Sequence, residues 1–147
     1  MRALLDANVL IAMLDSDHLF HSNSFDWFQA NQNMGWATCP ITQNAALRIL
    51  SNPGYSKVKR YQLSRLVELL NEIIEKTNHE FWPDDISLLD SSIVDLSKVL
   101  GPGQLTDIYL LALAARNEGR LISFDPRIAT SAVRFGTDKN LTTIKTR

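Results

Sequence analysis

Aspartates follow two apolar segments of this chain, and a third aspartate opens a late helical segment. Asp6 comes directly after "RALL" (2–5), and Asp125 comes directly after "LISF" (121–124). Asp107 lies near the start of "LTDIYLLALAARNEG", behind the loop "GPGQL". Carboxylates gathered in one cleft repel one another unless a cation compensates them, and Mg²⁺ or Mn²⁺ prefers oxygen ligands. If the aspartates meet, they predict the metal site of a nuclease or a phosphatase.

Each aspartate also has a purely structural interpretation. Asp6 could cap the helical segment "NVLIAML", and Asp107 could complement the dipole of its own helix. Asp125, which precedes Pro126, could belong to a turn. The choice depends on whether the fold brings the carboxylates together, so the elements that carry them come next.

Five short β-type runs alternate with helical patterns along the chain. The runs are "RALL" (2–5), "WATC" (36–39), "HEFW" (79–82), "LISF" (121–124) and "LTTI" (141–144). Strands that alternate with helices predict an α/β fold with a mostly parallel sheet. Ligands of open α/β sheets bind beyond the carboxyl ends of the strands. Asp6 and Asp125 are both placed at such ends.

Helices are predicted where apolar residues recur at helical spacing. The predicted helical segments are 8–14, 18–32, 41–50, 61–76, 87–100 ("SLLDSSIVDLSKVL") and 105–119. In the last segment, Thr106 is a candidate N-cap and Gly119 is a candidate C-terminal stop. No internal repeat, low-complexity tract or linker divides the sequence. Residues 1–147 are therefore predicted to form one domain.

Composition argues against membrane and secreted proteins. No run of about 18 apolar residues could cross a membrane, and the N-terminal residues lack the pattern of a signal peptide. Cys39 is the only cysteine, so it can form neither an internal disulfide nor a cysteine-based zinc site. We therefore expect a cytoplasmic protein that does not associate with membranes.

Positive charge is concentrated in two segments, although the net charge is only −1. Residues 45–67 carry Arg48, Lys57, Lys59, Arg60 and Arg65 without an acidic residue, and residues 126–147 are basic apart from Asp138. Together the segments predict a phosphate-binding face, and solvated helix surface is the alternative. Tyr55 and Tyr61 flank the first cluster of cations, which suggests base stacking as one further interpretation.

Several motifs together resemble the PIN domain and, more narrowly, the VapC-type toxin ribonucleases of bacterial toxin–antitoxin pairs. They are "LLDANVL", "ATCPITQNAALRILSNPGY", "LTDIYLLALA" and "LISFD". The resemblance covers essentially the whole chain in length and motif order. It implies a three-layer α/β/α sandwich and an endoribonuclease that depends on Mg²⁺ or Mn²⁺. It also implies a homodimer and inhibition by a cognate VapB-type antitoxin.

The resemblance assigns roles to individual residues. Asp6, Asp107 and Asp125 match the family's metal-binding acids, and Asn8 and Thr106 match polar positions that hold those acids by hydrogen bonds. For phosphate contact, Arg48 and Arg127 are the better candidates because each follows a site motif by a few residues; Lys57, Lys59 and Arg60 complete the RNA-binding set.

One position departs from the family pattern. The second family acid, usually Glu, falls where this chain has Gln43. An amide offers a carbonyl oxygen to a metal, but it brings no charge and cannot act as a general base. Three interpretations are open: three carboxylates suffice for catalysis, the chain is a natural relative that only binds, or a Glu was changed deliberately to silence a toxic enzyme.

Other function classes fit the sequence less well. A phosphatase with a two-aspartate nucleophile motif needs an acid two residues after the first Asp, and that position is Asn8. A Gly-rich phosphate loop is missing, which disfavours NTP hydrolysis. The main alternative is a catalytically silent PIN module that binds antitoxin or RNA, and only Gln43 separates the two hypotheses.

Overall fold

Five parallel strands form the central sheet, and helices cover both of its faces. The computed structural model describes residues 1–146. The strands are β1 (Ala3–Leu5), β2 (Trp36–Thr38), β3 (His79–Phe81), β4 (Arg120–Ser123) and β5 (Leu141–Thr143). The helices are α1 (Ala7–Leu14), α2 (His21–Asn31), α3 (Pro40–Ser51), α4 (Leu63–Lys76) and α5 (Leu105–Arg116). This architecture confirms the predicted α/β/α sandwich with a parallel sheet.

The strand order β3-β2-β1-β4-β5 places β1 at the centre of the sheet. In register, Leu4 pairs with Ala37 of β2 on one side and with Leu121 of β4 on the other. Because every pairing is parallel, the strands all end at one edge of the sheet. The residues that follow β1, β2 and β4 therefore meet at that edge, which we call the carboxyl edge.

Alternation along the strands divides the core into two halves. Leu4 points to the face that α5 covers, whereas Ala3 and Leu5 point to the face that α1 and α3 cover. Such alternation follows from the two-residue period of a strand. The body of α5 is buried throughout, from Ile108 to Ala115, which explains why it lacks a polar face. Both halves of the core hold the strand ends rigidly in place.

The helix predicted over 87–100 is wrong. This segment consists of turns, a single antiparallel bridge between Val94 and Val133, and a short 3₁₀ helix, Leu96–Lys98. Asp90 and Asp95 accept hydrogen bonds from the backbone N–H groups two residues later, and such bonds compete with a continuous helix. The apolar spacing instead reflects the packing of Ile93 and Val94 against α5.

The N-cap predicted at Thr106 is also wrong. Helix α5 begins at Leu105 with Gln104 in the cap position, after a 3₁₀ turn, Pro102–Gln104. Thr106 is thus inside the first turn. In the part of the chain that the structure describes, no helix is long and apolar enough to cross a membrane. The predicted site residues all fall within the described range, but Arg147 of the second basic segment lies outside it.

Candidate active site

Asp6 lies at the carboxyl edge of the sheet, between β1 and α1. Its backbone N–H donates to the Ile122 carbonyl of β4 at 2.9 Å, so its position is fixed by the sheet itself. It occupies the N-cap position of α1, but its side chain makes no capping hydrogen bond. The carboxylate is only 8% exposed. The capping interpretation of Asp6 therefore fails, and its burial needs another explanation.

The electrostatic environment of Asp6 is unfavourable for its charge. Burial is the main cause that raises its pKa, and the negative charge of Asp107 adds to it, so that the pKa is about 6. Asp125 raises it slightly further, whereas a hydrogen bond from Ser123 opposes the shift. A buried carboxylate that lies near two other carboxylates is typical of a site that binds a compensating cation.

Asp107 is half-buried in the first turn of α5, at the same edge. Burial raises its pKa, and so does the charge of Asp125. The helix dipole favours an anion at this end of α5, but burial and the charge of Asp125 together leave the pKa of Asp107 above its ordinary value. The fold thus brings Asp6, Asp107 and Asp125 within electrostatic reach of one another, from positions far apart in the chain.

Asp125 differs from the other two acids because it already has a cationic partner. Its Oδ1 accepts hydrogen bonds from the Arg127 backbone N–H at 2.9 Å and from Arg127 Nε at 3.1 Å. These bonds lower the pKa of Asp125. Within residues 1–146, no three His, Cys, Asp or Glu side chains are arranged closely enough to hold a metal ion. Among the described residues, neither Asp6 nor Asp107 forms an ion pair, whereas Asp125 does.

Ser123 supports the site in a way that the sequence motifs did not indicate. Its hydroxyl group donates to Asp6 Oδ2 at 3.1 Å and accepts the Asp125 backbone N–H at 3.1 Å. Ser123 is buried at the end of β4. The available signal was a hydroxyl side chain within the apolar run "LISF", two residues before Asp125. Asn8 and Thr106 are exposed, and their supporting role stays a prediction.

Gln43 lies in the first turn of α3, which starts at the carboxyl end of β2 beside β1. Its Nε2 donates to Thr38 Oγ1 at 2.8 Å, and Thr38 Oγ1 lies 2.8 Å from His79 Nε2. Burial lowers the pKa of His79, as does the charge of Arg2. This chain of hydrogen bonds occupies the amide nitrogen of Gln43 and leaves Oε1 as its free acceptor.

The predicted RNA-binding residues occupy different environments. Arg48 is exposed on α3, and Arg127 is exposed beside Asp125. Lys57 and Arg60 are exposed in the loop after α3. Lys59, in contrast, contacts Asp17 Oδ2 at 3.3 Å and Ser16 Oγ at 3.2 Å. All five cations are exposed, but Lys59 and Arg127 form ion pairs with acidic side chains, whereas Arg48, Lys57 and Arg60 form none with a described carboxylate.

Tyr55 and Tyr61 are half-buried side chains, which does not favour the base-stacking interpretation. Both hydroxyl groups donate to the buried Asp15, at 2.5 Å from Tyr55 and 2.6 Å from Tyr61. Their rings contact each other edge to face, with centroids 6.4 Å apart. The two tyrosines therefore attach the loop that follows α3 to the end of α1.

Comparison with known proteins agrees with this geometry. Residues 3–133 match the PIN domain family. The chain is 42% identical over 144 residues to "Ribonuclease VapC44" of Mycobacterium tuberculosis, covering 98% of this chain and 100% of that relative. It is 40% identical over 132 residues to "Ribonuclease VapC39" of the same organism, covering 90% and 94%.

A third relative, "Ribonuclease VapC38" of Mycobacterium tuberculosis, is 37% identical over 132 residues, with 88% of this chain and 89% of the relative covered. The alignments with these relatives span almost the full length on both sides, and the PIN match includes Asp6, Asp107 and Asp125. The carboxyl edge with its three aspartates, which we call the acidic edge, therefore falls inside the residues that match the PIN domain. This chain belongs to the PIN-domain family, in its VapC ribonuclease branch.

Proposed function

We propose that this protein is a metal-dependent endoribonuclease, the toxin of a type II toxin–antitoxin system. The observation that carries the proposal is the Asp6 carboxylate, which is buried, uncapped and destabilised by Asp107 at the carboxyl edge of the sheet. A fold that maintains such a charge needs a functional reason for it. The names of the VapC relatives point to RNA as the substrate.

Mg²⁺ or Mn²⁺ fits the donors at this edge. Both ions take carboxylate oxygens, and Mg²⁺ commonly uses one or two protein carboxylates together with water and substrate phosphates. Asp6 and Asp107 would hold the ion, with Asp125 as the further ligand named by the PIN resemblance. When bound, the ion supplies an activated water and neutralises the charge that develops on the phosphodiester.

The protein's own residues then orient and bind. Ser123 holds the Asp6 carboxylate in one orientation through the hydrogen bond described above. Gln43 offers Oε1 to the ion or to a water, because its amide nitrogen is bound to Thr38. Asn8 and Thr106, exposed beside Asp6 and Asp107, are proposed to assist them through hydrogen bonds when substrate is present.

The cationic residues would bind the RNA backbone. Arg48 and Arg127 are exposed close to the elements that carry Gln43 and Asp125, and Lys57 and Arg60 extend the positive surface along the loop after α3. Contacts of this kind position phosphates without reading the base sequence. They would align a phosphodiester with Asp6 and Asp107.

Partners are proposed on the same basis. The VapC relationship suggests a VapB-type antitoxin and a homodimer of single-domain chains, acting on RNA in the cytoplasm. An apolar cleft of about 360 Å³ lies between α2 and α4, and its lining includes Phe25, Phe28, Leu69 and Ile73. Phe25 is 42% exposed. Such a surface supports the expectation that this face is covered by another chain.

A catalytically silent module that binds antitoxin or RNA is the second candidate. Gln43 favours it, because the chain has an amide where the family usually has Glu. The same basic face and the same apolar cleft would serve that function. The two candidates differ in one respect: only the first requires hydrolysis of RNA.

Cleavage of total cellular RNA distinguishes the two candidates. The unaltered chain, its Gln43→Glu variant and its Asp6→Asn variant are compared with Mg²⁺, with Mn²⁺ and with chelator. Metal-dependent cleavage by the unaltered chain, lost in Asp6→Asn, supports the proposal and shows that three carboxylates suffice. Cleavage only by Gln43→Glu identifies a silenced enzyme that binds. Cleavage that survives Asp6→Asn or the chelator contradicts the proposed site.

A further inference from the structure

A buried carboxylate outside the acidic edge holds the most basic loop of the protein. Asp15 directly follows α1 and is 5% exposed. Its Oδ2 accepts from Tyr55, and its Oδ1 accepts from Tyr61 and from the Asp17 backbone N–H, which is 3.0 Å away. Burial alone would raise the pKa of Asp15, but these hydrogen bonds lower it below its ordinary value. Asp15 is therefore a stable anion with filled hydrogen-bonding positions.

The two tyrosines enclose the segment Ser56–Arg60, which we call the basic loop. The loop has no helix or strand of its own. Inside it, Ser56 Oγ accepts hydrogen bonds from the N–H groups of Val58 and Lys59, both at 3.2 Å. Attachment at Tyr55 and Tyr61 thus fixes both ends of a short turn, and the Asp15 carboxylate is the common point of attachment.

Lys59 reinforces the attachment from inside the loop. Its Nζ contacts Asp17 and Ser16, as described above, and lies 5.6 Å from the centre of the Tyr61 ring. While Lys59 is paired with Asp17 at the surface, Lys57 and Arg60 form no ion pair with a described carboxylate and are exposed. Val58 between them is 95% exposed. The turn therefore presents two free cations and one apolar side chain to solvent.

The basic loop is connected to the acidic edge through α1 and α3. Asp15 lies nine positions after Asp6, a path of roughly 13 Å at the rise of an α-helix. On α3, a cleft of about 230 Å³ is lined by Arg48, Ile49, Asn52, Gly54 and Tyr55. Arg48 thus stands between the start of α3 at the edge and the attached loop.

We infer that Asp15 is a positioning residue for RNA binding. It holds the basic loop in place through Tyr55 and Tyr61, so that Lys57 and Arg60 contact phosphates of the RNA. This inference rests on the proposed ribonuclease function. A loop that moves freely would lose conformational entropy on binding each phosphate, whereas an attached loop has lost that entropy during folding. Asp15 therefore increases the affinity for RNA, although it does not contact the RNA itself.

Removal of the two tyrosine hydroxyl groups tests the inference. Tyr55→Phe/Tyr61→Phe keeps both rings and their packing but releases Asp15. Binding of a short, labelled, single-stranded RNA of mixed sequence is measured by fluorescence anisotropy in chelator, which prevents cleavage, over a range of salt concentrations. Lys57→Ala/Arg60→Ala is measured in parallel. Lys98→Ala/Arg116→Ala is the control with the same charge change, at exposed positions outside the basic loop and outside the apolar cleft.

Loss of two phosphate contacts lowers the slope of log affinity against log salt by about 1.4 for single-stranded RNA. We expect this change, and about tenfold weaker binding, for Lys57→Ala/Arg60→Ala. The tyrosine double variant is expected to lose a similar affinity. Combining all four substitutions should weaken binding little further, because both changes remove the same contacts. The control variant should keep the slope of the unaltered chain.

The outcomes separate this inference from the proposed function. If the tyrosine variant has a lower melting temperature but the original slope and affinity, Asp15 has a structural role only and the inference is overturned. The same holds if Lys57→Ala/Arg60→Ala binds RNA like the unaltered chain. In both cases metal-dependent cleavage can persist, and the proposed function stands. If the unaltered chain neither binds nor cleaves RNA, both proposals fail. Asp15→Asn provides a second variant with the same expectations.

Discussion

The Ser123 hydroxyl group donates a hydrogen bond to Asp6 Oδ2 at 3.1 Å, across the junction of the two adjacent strands β4 and β1. The hydroxyl oxygen of Ser123 also accepts a hydrogen bond from the backbone N–H of Asp125. One buried side chain therefore determines the orientation of one acid and the backbone position of another. This relationship leads to the first prediction.

Ser123→Ala should reduce metal-dependent RNA cleavage by about 10- to 100-fold, the usual effect of losing a group that orients a metal ligand. Without the hydrogen bond, which opposes the effect of burial, the pKa of Asp6 should rise above about 6. The acidic limb of the pH–rate profile should move to higher pH. An unchanged profile would contradict the role of Ser123. Ser97→Ala, at an exposed turn, serves as the control.

Asp6→Asn should stabilise the protein at neutral pH while it abolishes cleavage. The pKa of Asp6 is raised from 3.8 to about 6 in the folded state, so the folded state binds this proton more tightly. The contribution of Asp6 to stability is therefore lost as pH rises from about 4 to about 6, by up to about 3 kcal/mol. Urea denaturation at several pH values should show this dependence in the unaltered chain and a clearly smaller one in Asp6→Asn, where the raised pKa of Asp107 remains.

Arg127→Ala should have opposite effects on metal binding and RNA binding. Without the guanidinium group, Asp125 is free to bind a cation, so Mn²⁺ should bind more tightly, though only modestly, because the ion pair that is lost is exposed. RNA should bind more weakly, because one cation is missing. Calorimetry and anisotropy measure the two affinities. Arg116→Ala, which removes an exposed cation at the end of α5 outside both basic segments, should change neither; weaker Mn²⁺ binding by Arg127→Ala would contradict the prediction.

Gly119→Ala should destabilise the fold by about 1–3 kcal/mol, because the added methyl group overpacks a filled site. A Cβ atom at Gly119 would lie 2.6 Å from the Arg2 carbonyl oxygen and 2.7 Å from Trp82 Cη2. A Cβ atom at Gly103 would have no neighbour within 4 Å, so Gly103→Ala provides the matched control, with a change of at most about 0.5 kcal/mol. Equal denaturation midpoints would exclude this packing argument.

The sequence predicted the elements that carry strong local patterns. Each strand was placed within about one residue of its position, because short apolar runs between turn residues have few alternatives in an α/β protein. Asp6 and Asp125 could be assigned to one edge because parallel strands end together. The prediction for 87–100 is wrong because its apolar residues pack on the core from a series of turns. Helical spacing of apolar residues alone does not distinguish such turns from a helix.

The remaining features depend on contacts between distant parts of the chain. Asp15 meets Tyr55 and Tyr61 only after α1, α3 and the loop have folded together, and nothing in the local sequence marks Asp15 as buried. Ser123 supports Asp6 across 117 residues. The ion pair between Asp125 and Arg127 is local, but its effect on metal binding depends on whether the carboxylate faces the site, which side-chain geometry alone decides.

The position of β4 between β1 and β5 also affects the timing of synthesis. Leu5, next to Asp6, pairs with Ile122, which leaves the ribosome more than a hundred residues later than Asp6. Domains generally fold as units during synthesis. A nascent chain that ends before Ser123 contains Asp6 but neither Ser123 nor Asp125. The acidic edge therefore cannot assemble until translation of this domain is nearly finished. A ribonuclease with this topology is thus inactive while the domain is being synthesised.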